Sequence, residues 1–188
     1  MSKGWGLFLI VAAVIVLGGG WFIKNLNVPV VLDEEVNNAW AQVENQLQRR
    51  NDLIPNLVST VKGYAKHENQ TLMEITRLRS QWAKSASITD KIKTANQITA
   101  ALSKLMVISE NYPQLKANQN FLGLQAQLEG AENRIAVERM RYNEAVKRFN
   151  AYRRTIWGGF FCRLRGLNQP REYFKAEASA GKVPRVKF

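Results

Sequence analysis

The chain has little of the chemistry that most enzymes need. Its 188 residues include one cysteine and one histidine, so no intramolecular disulfide can support the fold. His67 is followed by Glu68, but Thr71 stands where a zinc-binding helix carries its second histidine, which excludes a metalloprotease of that type. A dyad of His67 and Cys162 is the remaining chemical alternative, with no acidic partner evident. We predict no catalytic residues, no cofactor and no metal site.

Helix-breaking and linker residues are also scarce. There are five prolines and twelve glycines, and no internal segment is rich enough in proline, glycine or serine to form a long linker. The three consecutive glycines at 18–20 lie in an apolar run, so they form no phosphate-binding loop. Hydrophobic residues at 46% and charged residues at 22% exclude a disordered chain. We therefore expect one folded domain.

The net charge of +12 is unevenly distributed. Residues 25–48 carry four acids and no lysine or arginine, whereas residues 134–171 carry nine arginines and one lysine against two glutamates, a net charge of +8. Such a basic stretch is typical of binding to anionic lipid or nucleic acid, and a solvated or internally paired helix face is the alternative. No nucleic-acid-binding motif accompanies the charge, which disfavours nucleic acid as a partner.

Residues 5–23 form a run of 19 residues without a charge. A helix of that length rises about 28 Å, close to the roughly 30 Å of a hydrocarbon core. Trp5 and Trp21 stand near its ends, where aromatic rings favour the headgroup level. The run is longer than a usual signal-peptide core, and the glycines at 18–20 make a poor cleavage site. We predict an uncleaved single-pass anchor.

The membrane side that the rest of the chain faces does not follow from the sequence. The positive-inside rule weighs charges close to the membrane, and Lys3 on one side of the run is balanced by Lys24 on the other.

Apolar residues at spacings of three and four predict helices for most of the remaining chain. Two long seams of coiled-coil type stand out, each interrupted by one charged residue, Arg50 in the first and Glu138 in the second. The first seam comprises Val36, Trp40, Val43, Leu47, Arg50, Ile54, Leu57, Val61 and Tyr64. The second comprises Phe121, Leu124, Leu128, Ala131, Ile135, Glu138, Tyr142, Ala145, Phe149, Tyr152 and Ile156.

Two shorter helices are predicted between the seams. One contains Leu72 and Trp82, and the other runs from about Thr89, as N-cap, to a point before Pro113. A turn near residues 67–69 is favoured over a continuous first helix, because such a helix would be on the order of 75 Å long and the middle helix covers only half of it. With that turn, four helices run up and down, and the basic last helix lies beside the acidic start of the first near the membrane.

Two groups of residues are candidate sites. We interpret the first as a buried polar network that fixes helix register, with a ligand site as the alternative. The second mixes aromatic rings with arginines, as segments that lie in a lipid headgroup layer do, and a helix end packed on the bundle is its alternative. The network group is Arg49, Arg50, Asp52, Glu132, Asn133, Glu138, Arg139 and Asn143, and the basic-aromatic group is Arg153, Arg154, Trp157, Phe160, Phe161, Arg163 and Arg165.

The same chain resembles the LemA family. The resemblance is carried by WAQVE at 40–44, LQRRNDLIPNLV at 47–58, VKGYA at 61–65 and HE at 67–68, then by YPQLKAN at 112–118, ENRIA at 132–136, YN at 142–143, YF at 173–174 and PRVKF at 184–188. It implies a bacterial plasma-membrane protein whose soluble part is an up-and-down antiparallel four-helix bundle, with no established enzymatic activity. Where relatives carry a proline-containing apolar run, residues 156–165 read IWGGFFCRLR, so no role of that run is carried over.

These observations predict an all-α protein with an anchor at 1–24, a LemA-like bundle at 25–166 and a tail at 167–188. The first functional hypothesis is a non-enzymatic scaffold or adaptor that organises protein partners at a bacterial membrane, with self-association left open. The alternative is membrane-surface binding or shaping by the basic-aromatic segment, for which anionic lipid is the expected partner. The two differ in their dependence on ionic strength.

Overall fold

The computed structural model describes residues 3–65 and 68–175. Every regular element within these ranges is a helix, which confirms the all-α prediction. The helices are α1 (Lys3–Lys62), α2 (Asn69–Lys84), α3 (Ile88–Ser109), α4 (Pro113–Lys116), α5 (Gln119–Arg153) and α6 (Ile156–Leu164). His67 and residues 176–188, which include the last block of the family resemblance, lie outside the described residues.

Helix α1 joins the apolar run to the first coiled-coil seam without a break. It is the one helix of the described residues that is long and apolar enough to cross a membrane. It continues through Pro29 and Pro55, each of which removes one backbone hydrogen bond from the helix. The expected boundary between residues 24 and 25 therefore lies inside α1, and no linker separates the apolar run from the seam.

The helix that starts with the apolar run ends at Lys62, and α2 begins at Asn69. The favoured turn is thus present, a few residues earlier than expected. Helix α3 also begins slightly earlier, because its N-cap is Ser87, whose hydroxyl accepts a hydrogen bond from the Asp90 amide at 3.0 Å. The expectation of Thr89 as the cap was wrong by two residues.

The chain divides into two compact units that share α1 and α5. One unit, residues 1–40 and 142–172, has a core built from the start of the first seam, the end of the second and α6. Its buried residues include Val36, Trp40, Tyr142, Phe149, Phe161 and Cys162. The other unit comprises residues 41–65, 68–141 and 173–175 of the described chain. It buries apolar residues of α1, α2, α3 and α5, among them Leu47, Ile54, Ile75, Trp82, Ile98, Leu105, Phe121 and Ile135.

The second seam ends differently from its sequence pattern. Helix α5 stops at Arg153, the chain turns at residues 154–155, and α6 begins with Thr155 as its N-cap. Ile156, the last seam residue by spacing, therefore belongs to α6. Helix α6 ends in a Schellman motif, in which Gly166 takes a φ of 71° and the Leu167 amide donates to the Cys162 carbonyl at 2.8 Å. A segment without regular secondary structure follows to Lys175.

Candidate functional site

The polar network forms around Arg50 of α1. Its guanidinium group is fully buried and donates to Thr99 Oγ1 at 2.7 Å, to Glu132 Oε1 at 2.8 Å and to the Ala95 carbonyl at 3.1 Å. One arginine thus binds α1 to α3 and α5. Burial lowers the pKa of Arg50, and the adjacent Glu132 carboxylate opposes that effect. Because 34% of the Glu132 side chain is exposed, water reaches one end of the pair.

The other predicted network residues do not join this cluster. Glu138 accepts from Arg141 of its own helix at 2.8 Å, and Asp52 accepts from Gln48, also within one helix. Arg139 stacks over the ring of Phe174 at 5.7 Å. Arg49 and Asn133 are exposed, and Asn143 is half-buried. Of the eight candidates, the structure brings together Arg50 and Glu132.

The network also contains residues that the sequence reasoning missed. Nothing in the sequence pattern singles out Thr99, whose hydroxyl is identified as a partner only by the position of α3 beside Arg50. Asn51 is buried next to Arg50 in the sequence, and its carbonyl accepts from Arg79 Nε at 3.1 Å. The side-chain amide of Asn51 has no hydrogen-bond partner within residues 3–65 and 68–175.

The basic-aromatic segment packs on α1 at the end of the apolar run. Trp157 meets Trp21 with ring centroids 5.6 Å apart, and Phe161 meets Phe22 at 5.4 Å, both edge to face. Phe160 continues the cluster beside Phe161 at 5.3 Å. Phe161 is fully buried, whereas 61% of Trp157 and 40% of Phe160 are exposed. Phe161 therefore holds α6 on α1, and the other two rings face outward.

The four arginines of this segment have different surroundings. Arg165 donates to the Leu26 carbonyl at 3.1 Å and to Asn27 Oδ1 at 2.7 Å, so it ties the end of α6 to α1. Arg153 is half-buried and donates to the Asn168 carbonyl. Arg154 and Arg163 are exposed. The structure thus leaves two of the four arginines directed at the surroundings of α6.

Gly158 permits the close approach of α6 to the end of α5. A Cβ atom at this position would collide with the Tyr152 carbonyl oxygen and lie 2.6 Å from Thr155 Oγ1. The bend between the two helices lies at residues 154–155, and neither Gly158 nor Gly159 has a positive φ. Gly158 is required because there is no space for a Cβ atom, and not because the backbone takes a conformation that only glycine favours.

A second ion pair, which the sequence reasoning did not identify, binds the extended tail to α1. Arg171 donates to Asp33 Oδ1 through Nε at 2.8 Å and through its terminal nitrogen at 2.5 Å. The main chain of Arg171 exchanges two hydrogen bonds with the Asn150 side chain of α5. Asp33 lies three residues before Val36, so extending the first seam by one step would have found it. No pattern marks Arg171.

The basic and acidic segments meet as the charge pattern predicted. Arg148 of α5 lies 3.0 Å from Glu35 of α1, close to the Asp33–Arg171 pair in the same unit. These two ion pairs confirm that part of the basic stretch is paired with acidic residues of the same chain.

The described residues bring together no reactive constellation. Cys162 is buried, which raises the pKa of its thiol and disfavours the nucleophilic thiolate. No three His, Cys, Asp or Glu side chains of residues 3–65 and 68–175 are grouped so that they could hold a metal ion. The two assembled sites are an internal ion pair and a helix junction.

An all-helical domain that starts in the same helix as a long apolar run defines the class, a membrane-associated helical protein. The model of the LemA family matches residues 39–188, so the chain belongs to that family, as the sequence motifs predicted. It is similar to Protein LemA of Metamycoplasma hominis, with 27% identity over 124 residues, which are 65% of this chain and 57% of that protein. The chain thus spans less than two thirds of that relative's length. LemA is not a known enzyme family.

Glu132→Gln is expected to lower the free energy of unfolding by about 3 kcal/mol, because it leaves the Arg50 charge buried without its counter-charge. Arg50→Met should cost less, since water can hydrate the partly exposed Glu132. The measurement is a denaturant melt of the full chain in detergent micelles. The double variant should lose less free energy of unfolding than the two single variants lose together, and the difference should be about 1 kcal/mol or more. The control cycle on Arg77 and Glu74, an exposed ion pair within α2, should give a much smaller coupling. Additive losses at Arg50 and Glu132 would contradict the network.

Gly158→Ala is expected to loosen α6, because the added methyl group has no space and overpacking of this kind costs about 1–3 kcal/mol. Amide hydrogen exchange of residues 156–164 should become about tenfold faster or more. Gly123→Ala is the matched control, since a Cβ there meets nothing within 4 Å and alanine favours a helix interior by about 0.5–1 kcal/mol. Unchanged exchange in α6 of the Gly158 variant would show that the close approach is not required.

Proposed function

We propose that the protein is a non-enzymatic, membrane-anchored scaffold or adaptor that organises protein partners at a bacterial plasma membrane. In this proposal residues 1–24 form an uncleaved single-pass anchor. Residues 25–166 form an up-and-down antiparallel four-helix bundle that presents its surface to partners or to further copies of the chain.

The observation that carries the proposal is the continuity of α1. The apolar run and the first seam belong to one helix from Lys3 to Lys62. A cleavable signal or a flexible tether would be followed by a break in the helix, whereas a helical domain that must be positioned at a membrane gains from having none. The helix therefore favours a domain held at the bilayer over one released from it.

The bundle arrangement is supported by contacts inside the second unit. Arg50 links α1 to both α3 and α5, the Lys91–Glu44 ion pair links α3 to α1, and α2 packs on α3. The short connections between successive helices favour antiparallel neighbours. The buried charge at Arg50 serves a specific helix register, which is the property that a scaffold needs.

A second candidate function is membrane-surface binding or shaping by the basic-aromatic segment. The contact of Trp157 and Phe161 with Trp21 and Phe22 favours it, because it brings this segment to the end of the apolar run. Raised ionic strength separates the two functions, since attraction of arginines to anionic lipid weakens with salt and apolar association of helices does not.

The anchor proposal predicts that the chain extracted from membranes retains its N-terminus. The reason is the poor cleavage site before Trp21 and the helix that continues past it. Intact-mass spectrometry should then give the full 21.4 kDa chain, with or without its initiator methionine. A mature chain that begins near Trp21 would contradict the anchor.

The scaffold proposal predicts a defined partner surface. Photoreactive residues are placed singly at Met73, Val107 and Met140, three exposed apolar side chains on α2, α3 and α5. Irradiation in intact membranes should crosslink one or two of these positions to discrete proteins, which mass spectrometry identifies, with yields that high salt leaves unchanged. The remaining position is the internal control. Equal labelling at all three, or none, would count against a scaffold.

A further inference from the structure

Helix α6 is apolar on two sides. Gly158, Phe161 and Cys162 are buried against the rest of their unit. The other side presents Ile156, Trp157, Phe160 and Leu164, and 87% of Ile156 and 61% of Trp157 are exposed. Four large apolar side chains on nine residues are costly to leave in water, at about 25 cal/mol per Å² of apolar surface. An exposed patch of this kind marks an interaction surface.

The contacts with α1 fix the level of this surface along the apolar run. Tyr152, near the end of α5, lies 3.5 Å from the Asn25 carbonyl oxygen, Trp157 meets Trp21, and Arg165 reaches Leu26 and Asn27. Helix α5 therefore approaches the apolar run, and α6 leads away from it. The tip between them, at residues 154–157, lies level with the last turn of that run.

The exposed apolar surface is continuous across the two helices. Trp21, Phe22 and Ile23 of α1 are exposed beside Trp157 and Phe160 of α6. If residues 5–23 cross the hydrocarbon core, Trp21 lies at its boundary, where tryptophan rings are enriched. The lipid boundary that surrounds this end of α1 then also surrounds the α5–α6 tip.

The exposed cations border the apolar surface. Arg154 is the first residue of the tip, Arg163 follows Phe160 by three residues, and Lys24 follows the apolar run on α1; all three are exposed. Long basic side chains keep their charge in the headgroup layer while their stems lie along apolar surface. Phosphate groups of anionic lipids are the counter-charges expected at this level.

We propose that the α5–α6 tip inserts into the bilayer that α1 crosses. Ile156, Trp157 and Phe160 enter the boundary between headgroups and acyl chains, and Arg154 and Arg163 bind the phosphates of anionic phospholipids. The inference rests on the proposed anchor, because the tip reaches the bilayer through its contact with Trp21 and Phe22. It adds a second membrane contact on a different part of the chain, which fixes the rotation of α1 about its own axis.

The test uses the full chain reconstituted into vesicles of phosphatidylcholine, with or without phosphatidylglycerol. The vesicles contain a phospholipid with a diazirine in its acyl chain, and mass spectrometry maps the adducts after irradiation. Adducts are expected in residues 5–23 and in residues 155–164, with those in the second segment increased by phosphatidylglycerol. The increase should disappear in high salt and in the double variant Arg154→Gln/Arg163→Gln.

The variant Ile156→Ser/Trp157→Ser should show about tenfold fewer adducts in residues 158–164, since burial of one large apolar side chain contributes about 1.5–3 kcal/mol. Its adducts in residues 5–23 should equal those of the parent. Val107→Ser, which removes an exposed apolar side chain of α3, is the matched control and should change neither segment.

The outcomes separate this inference from the anchor. Adducts in residues 5–23 with none in 155–164 would overturn tip insertion and leave the anchor in place. An absence of adducts from both segments would overturn the anchor and the inference together.

Discussion

One helix has to change along its length from an apolar surface to a packed seam, and much of the structure depends on that change. In its first third α1 is exposed and apolar around its whole circumference, a surface that suits a helix in lipid because the backbone polar groups of a helix are bonded internally. From Val36 to Lys62 the buried residues are those of the seam and Asn51. The segment at residues 21–35 connects the apolar run to the seam. The contacts of α6 and of the tail with α1 concentrate there, through Trp21, Phe22, Leu26, Asn27 and Asp33, and Arg148 of α5 meets Glu35 in the same segment.

Those contacts cover the start of the seam. Without them, the first seam residues from Val36 onward would be exposed to water on the side where no other helix packs. Helix α5 reaches Asn25 through Tyr152, and the tail brings Arg171 to Asp33. The pair is tied further by the Asn150 side chain, so the buried carboxylate has a fixed partner. The basic stretch is therefore divided between internal pairing, at Arg148 and Arg171, and exposure, at Arg154 and Arg163.

Local patterns predicted most of the helices, because apolar spacing reports which face of a helix is buried. The seams located α1 and α5, and the scarcity of proline predicted long helices. The predictions were wrong where a contact between residues far apart in the sequence, or the backbone geometry at one residue, determines the structure. Glu138 interrupts its seam as Arg50 does, yet it bonds Arg141 one turn away. Gly158 is needed because the Tyr152 carbonyl leaves no space for a side chain, which residue spacing does not reveal. Arg171 lies in a segment without regular secondary structure, where no periodicity marks a buried partner.

Arg50 illustrates why a buried charge in this family member argues for architecture rather than chemistry. Burial disfavours its charged form, and three hydrogen bonds to two neighbouring helices offset that cost. A leucine at the same position would also pack in the seam, but apolar packing is not directional and would allow α1 to shift against α3 and α5. The arginine opposes such a shift, because a slip by one residue would remove the Ala95, Thr99 and Glu132 acceptors together. A catalytic arginine would direct donors toward an open cleft, whereas here each hydrogen-bonded nitrogen is used to hold one helix against another. Arg50 is therefore placed to fix the register of α1 against α3 and α5.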